Sequence, residues 1–287
     1  MRLAHSETTP WGPVRSTRGG VIKFKTLLEG REGSPANYQL LLADTDPSFQ
    51  SPRHRHNFDQ VRFALDGSTN IGPKRNLEPG DLAYFPEGTF YGPQNQEEVG
   101  KPSLTMVIQF GGPSGNGYMS MGQHDTNAQA LKAHGDFEGG IYKRHSPAAD
   151  GRKNQDAYEA IWEHHSGRPI EYQKPRFMDA IHFREPNFEW QALAGNPGVA
   201  AKDIGSFTER GVKVYFVQLQ PGASYTLPAQ PQQQLLFVRS GTGRFGNGSS
   251  DGDSWYAHTA VDLGPGESAA MTATTLTEAM VLLFPRF

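Results

Sequence analysis

Cysteine is absent from the 287 residues. Disulfides, thiolate zinc sites, iron–sulfur clusters and cysteine nucleophiles are excluded with it, so any metal must be held by imidazole and oxygen. Charge of one sign is also lacking: 30 acidic side chains against 27 basic ones leave a formal charge of −3, with no block of like charge. Nucleic acid and anionic membrane both require a concentrated basic face, so neither is expected as a partner. No apolar run approaches the roughly 18 residues of a membrane span, and the first twenty residues have no apolar signal core. The chain reads as soluble and cytoplasmic, with a small-molecule substrate as its partner and a homodimer left open. Turn chemistry, by contrast, is abundant. With 33 glycines and 21 prolines, the structure should be largely β.

The length suggests about two domains. Residues 21–113 read as short apolar segments at 38–43, 61–65, 82–85 and 104–110, separated by turn signals such as Asp66-Gly67 and Pro79-Gly80. Residues 114–175 are more polar, with helical patterns at 126–133 and 154–164, and the strand pattern returns over 176–287. The expected organisation is an N-terminal arm (1–20), a β-barrel (21–113), a connector with short helices (114–175) and a second β-barrel (176–287).

The most informative stretch is 48–95. His54 and His56 are separated by one residue, so on an extended chain both imidazoles share a face, and Gln60 and Arg62 have the same parity. Gly80, Pro86, Gly88, Tyr91 and Asn95 follow. These spacings resemble the two motifs of the cupin superfamily, G-x5-H-x-H-x3-E-x6-G and G-x5-P-x-G-x2-H-x3-N. The departures are Ser48 for the first glycine, Gln60 for the glutamate and Tyr91 for the last histidine. The C-terminal half repeats the first spacing as Gly222-x5-Pro228-x-Gln230-x3-Gln234-x6-Gly241. Gly266, Thr272, Thr274 and Thr277 then fall at second-motif positions, so every ligand position there is replaced. The resemblance implies an all-β bicupin: two double-stranded β-helix, jelly-roll-like barrels, the first holding a site and the second degenerate and metal-free.

Cupins hold one divalent metal on these positions, so the resemblance assigns His54, His56, Gln60 and Tyr91 as candidate ligands. The metal would be iron first, with zinc, nickel, manganese or copper as alternatives, because imidazole-rich sites do not select by affinity alone. With Gln60 and Tyr91 neutral, such an ion keeps nearly its full charge and favours an anionic chelating substrate. Arg62, aimed into the same cavity, offers a fork for carboxylate or enolate. Tyr91 and Arg62 are therefore the candidate catalytic residues. The leaning is toward a metal-dependent, dioxygenase-like or C–C-bond-cleaving enzyme acting on a small anionic or enolisable molecule. Two alternatives stay open: a metal-independent isomerase or epimerase using histidine and Tyr91 as acid and base, and a non-catalytic small-molecule binder. Gly241-x-Gly243-x-x-Gly246 has the letters of a dinucleotide fingerprint but no following helix. His164-His165 reads as a solvated helix end. For His124 and His145, in the connector, nothing but reach supports a role at the barrel mouth.

Overall fold

The structure, a computed structural model, describes residues 1–15, 19–246 and 253–287; positions 16–18 of the expected arm lie outside the described residues. Strands dominate, with two α-helices among the described residues, and the fold is all-β. The chain divides into two compact units. One comprises Met1–Pro10, Lys25–Leu28 and Phe183–Phe287, and the other Trp11–Phe24 and Glu29–His182.

In the second of these units, β1 (Tyr38–Thr45), β2 (Asp59–Asp66), β3 (Asp81–Phe85) and β4 (Ser103–Phe110) form an antiparallel sheet in the order β3-β2-β4-β1. The sheet continues through strands Ile22–Glu29 and Val14–Arg15. Alternation along β2 sends Val61 and Phe63, both fully buried, to one face and Gln60 and Arg62 to the other. The register pairs Val107 with both Arg62 and Leu41, and its irregularity comes only at Leu104/Thr105, past Arg62. Arg62 therefore keeps the parity of Gln60.

The connector holds more structure than its polar sequence suggests. Helix α1 (Met121–Leu131) starts earlier than the apolar pattern indicates, because Ser120 and Gln123 form a reciprocal capping box. Helix α2 (Ala157–Ser166) is capped by Asp156, whose side chain accepts from the Tyr158 and Glu159 amides, and ends at left-handed Gly167. Ala128, Leu131, Ile161 and Trp162 pack the two helices together with Tyr142 from a three-stranded sheet. His164 Nδ1 and His165 Nδ1 lie 2.7 and 3.3 Å from the Asn127 amide on α1, so the adjacent histidines join the helices.

The other unit is built on β5 (Lys213–Leu219), β6 (Gln234–Ser240), β7 (Thr259–Leu263) and β8 (Thr277–Leu283), in the order β7-β6-β8-β5. Arg2–His5, read from sequence as part of an arm, pairs with β7 as an edge strand, and the Arg2 guanidinium bonds Asp262. Its interior is filled by side chains such as Val217, Leu236, Phe245, Trp255, Met271 and Val281. Gln234, at a ligand position of the degenerate motif, is fully buried and donates to the Pro228 carbonyl at 3.0 Å. Gly243 packs under Trp255: a Cβ there would lie 2.1 Å from the indole and 2.3 Å from the Thr272 carbonyl.

Asp59 opens β2 with no exposed surface. It accepts from the Tyr84 hydroxyl (2.6 Å) and the Glu87 amide (2.9 Å), while Glu87 accepts from Arg176 (2.8 Å) and from the Ser114 amide and hydroxyl. Glu87 thus fastens Ser114 and Arg176 beside the start of β2. Burial outweighs the hydrogen bonds and lifts the Asp59 carboxyl from 3.8 to about 7. Between those values the unfolded chain has lost the proton and the folded chain keeps it, so this group costs stability as pH rises through the window. Asp59→Asn cannot ionise. Its stability relative to the parent should rise by about 2–4 kcal/mol from pH 4 to pH 7.5 in urea titrations; parallel profiles would contradict it. In the other unit, Gly243→Ala should cost about 1–3 kcal/mol through overpacking, visible as a lowered thermal midpoint.

Candidate functional site

A cavity of about 190 Å3 opens inside the N-terminal barrel, and His54, His56, Gln60, Arg62 and Tyr91 all line it. The two histidines do not lie on a regular strand. They occupy the extended segment before β2, where His54 pairs in an isolated bridge with Tyr91: the His54 amide donates to the Tyr91 carbonyl (3.0 Å) and the Tyr91 amide to the His54 carbonyl (2.9 Å). The Gly88 amide donates to the His56 carbonyl at 2.7 Å. Gly88 has φ +77°, and a Cβ there would meet the Gln173 carbonyl at 2.2 Å. The second-motif glycine is thus needed both for its left-handed turn and for the close passage of the connector.

The side chains meet at one atom. Tyr91 Oη lies 2.8 Å from His54 Nε2, 3.2 Å from His56 Nε2 and 3.2 Å from Arg62 Nη2. The hydrogen-bond network assigns the protons. His54 Nδ1 is 2.7 Å from the Pro52 carbonyl, which can only accept, so Nδ1 carries the proton and Nε2 is an acceptor. Tyr91 has one proton, which goes to His54. Its oxygen then accepts from Arg62 and from His56, whose Nε2 is the protonated nitrogen in this arrangement. Arg62 Nε donates to Gln60 Oε1 at 2.7 Å, and its guanidinium stacks on Phe85 at 4.7 Å. Gln60 is therefore committed to Arg62.

Sequence reasoning missed the aromatic wall. The His56 ring stacks on Phe58 (4.2 Å between centroids, 8° between planes), and Phe58 meets the edges of Tyr118 and Tyr158. Burial pushes both phenols up, so each stays a protonated donor: Tyr158 to Asn57 (2.6 Å), Tyr118 to Gln109 (2.7 Å). Behind the histidines, Arg53 and Arg55 point away from this wall. Arg55 lies 3.8 Å from the Tyr172 ring and 4.7 Å from Phe90, and Arg53 4.5 Å from Phe90. His124, on α1, lines the cavity, as does Arg15; His145 is half-exposed beside Asp136 and does not. No sequence signal marked Arg15, which sits on a two-residue edge strand in a polar stretch.

The charge of the cavity is one-sided. Arg15 and Arg62 are its cations, His54, His56 and His124 its imidazoles, and no acidic side chain is among its lining residues. Among the described residues no group of three or more His, Asp or Glu is close enough to hold a metal ion. The donor set fits a divalent ion as a partial, neutral shell: His54 Nε2, His56 Nε2 once its proton has moved to Nδ1, and Tyr91 Oη. With Gln60 bonded to Arg62 and no carboxylate present, that shell balances the ion only together with an anionic ligand.

No family model matches the sequence, and the curated proteins return no match. Solved structures do match. Streptomyces albus HEPD, solved with 2-hydroxyethylphosphonate and Fe(II) bound, has a TM-score of 0.60 at 13% identity over 99% of this chain and 76% of its own. Lactobacillus farciminis oxalate decarboxylase, a formate complex, has a TM-score of 0.56 at 12% identity over 99% and 86%. The Escherichia coli pirin YhhW, a nickel(II) complex, has a TM-score of 0.54 at 9% identity over 100% and 99%. At such identities the likeness is one of fold, and that fold is the all-β cupin fold.

Proposed function

We propose that the N-terminal barrel is a cupin-type enzyme site for a small anionic or enolisable organic molecule. The observation that supports it most is the charge of the cavity: two guanidiniums, three imidazoles and no carboxylate line it. Such a pocket repels a bare cation and attracts an anion. Arg62, oriented by Gln60 and by the Phe85 face, presents a fork to a carboxylate or enolate. His54, locked as an acceptor by Pro52, takes a proton from Tyr91 or from substrate at Nε2. Phe58, Tyr118 and Tyr158 restrict water around the reacting centre.

His54 and His56 would hold a divalent transition metal, with Tyr91 as the third donor and the substrate anion completing the charge balance. The Fe(II)-, nickel- and carboxylate-bound states of the fold neighbours support this assignment. When bound, the metal would supply Lewis acidity and, if iron, redox chemistry with dioxygen, hence a dioxygenase-like or C–C-bond-cleaving reaction. One observation favours a second reading, metal-independent isomerisation: Arg62 already occupies the Gln60 oxygen and contacts Tyr91. There His54 takes a proton from the substrate at Nε2 and Tyr91 returns one to it.

Elemental analysis with and without a carboxylate probe separates the two. The metal site predicts bound iron or a related ion whose retention rises with added oxalate or formate and is lost in a His54→Ala/His56→Ala double variant. Full occupancy in that variant would refute the ligand assignment, and turnover by metal-free protein would establish the second reading. Arg62→Lys keeps the charge but loses the fork, and should weaken carboxylate binding by about 1.5–3 kcal/mol with metal content retained; unchanged affinity places the anchor elsewhere. Tyr91→Phe leaves His54, His56 and Arg62 without their shared partner and should cost about 1–3 kcal/mol of stability in urea titrations.

A further inference from the structure

The two arginines of the cavity stand on two strands of one sheet with three strands between them. Arg62 on β2 faces Val107 on β4, and Val107 faces Leu41 on β1. The next strand contributes Ile22, and Ile22 faces Arg15 on the edge strand. All five residues line the cavity. Ile22 and Phe24 pack on Leu41, Ala43 and Val107, so an apolar floor lies between the arginines. Four inter-strand steps of roughly 4.8 Å each separate the arginines across the sheet.

The Arg15 end is built as a pole of its own. The Arg15 guanidinium and His124 Nδ1 (3.1 Å) both bond Asp125 Oδ1. Asp125 is half-exposed and does not line the cavity, whereas the Arg15 and His124 side chains are about one-fifth exposed and do. The carboxylate thus orients the two from outside. Among the described residues the Arg15 guanidinium bonds one acceptor, Asp125, and lies over the Phe24 ring at 6.0 Å. A monoanion held at Arg62 leaves this second pole unused.

From these two poles of one cavity we infer that the ligand is a diacid: one acid group on Arg62 beside Tyr91, a short apolar body over Val107, Leu41 and Ile22, and a second acid group on Arg15 and His124. The inference rests on the proposed anion-binding role of Arg62 and adds the substrate class.

Calorimetric titration of the full-length protein with linear dicarboxylates from glutarate to sebacate, each beside the monocarboxylate of equal carbon number, tests it. At one chain length the diacid should bind at least tenfold tighter than its matched monoacid. Arg15→Gln should bring that ratio near one. Asp125→Asn, which releases Arg15 from its neutralising carboxylate, should raise it. Circular dichroism melts show whether each variant is folded. If both series bind with Arg62-dependent affinity but the ratio is near one in the parent, or Asp125→Asn leaves the ratio unchanged or lower, the diacid inference is overturned while the anion site stands. If neither series binds in an Arg62-dependent way, both fall together.

Discussion

A phenol has one proton to give and two lone pairs to receive with, and the closed end of the N-terminal barrel is arranged around that limit. Because the Pro52 carbonyl fixes His54 as an acceptor, the Tyr91 proton has one destination, and the other two neighbours must be donors. His56 and Arg62 satisfy that condition, and Arg62 in turn engages Gln60. A histidine in place of Tyr91, as the cupin motif has it, would offer a ring nitrogen rather than a hydroxyl. A glutamate in place of Gln60 would bring a negative charge against Arg62. The departures from the motif are therefore linked: the neutral amide, the phenol and the inward arginine form one hydrogen-bonded set, and each makes chemical sense only beside the others.

Much of this was legible in the sequence because it rests on local rules. Two-residue parity aimed Gln60 and Arg62 at one face, and the motif spacing brought Tyr91 beside His54 and His56 although 35 and 37 residues separate them. What stayed hidden arises from tertiary assembly. Arg15 reaches the cavity through an edge strand too short to show a period, and Phe58, Tyr118 and Tyr158 come from separate segments whose spacing carries no pattern. The early start of α1 depended on a capping box among polar residues, where apolar periodicity is silent. The pairing of Arg2–His5 with a strand some 257 residues away is non-local by nature.

The two barrels show how one architecture supports a cavity or forgoes it. In the C-terminal unit the volume that a ligand would occupy is taken by Trp255, Phe245 and their neighbours, and the surviving motif amide, Gln234, bonds backbone carbonyl groups. In the N-terminal unit, the polar side chains of His54, Gln60 and Arg62 are linked through Tyr91 and line an open space instead of filling it. Close packing stabilises; a satisfied polar lining with room inside costs apolar burial and gains a place for chemistry.

The tetrapeptide Arg53-His54-Arg55-His56 uses both sides of an extended chain. Its odd positions lie against the aromatic rings of Phe90 and Tyr172, and its even positions enter the cavity. Loss or gain of a single residue between Pro52 and Asn57 would exchange the two sets, placing guanidiniums around Tyr91 and imidazoles against the rings outside. The cavity would then gather like charges where imidazoles now stand. This short segment is consequently far less tolerant of an insertion than of a substitution, and the outer arginines, which touch no ligand, act as the detent that holds the histidines in phase.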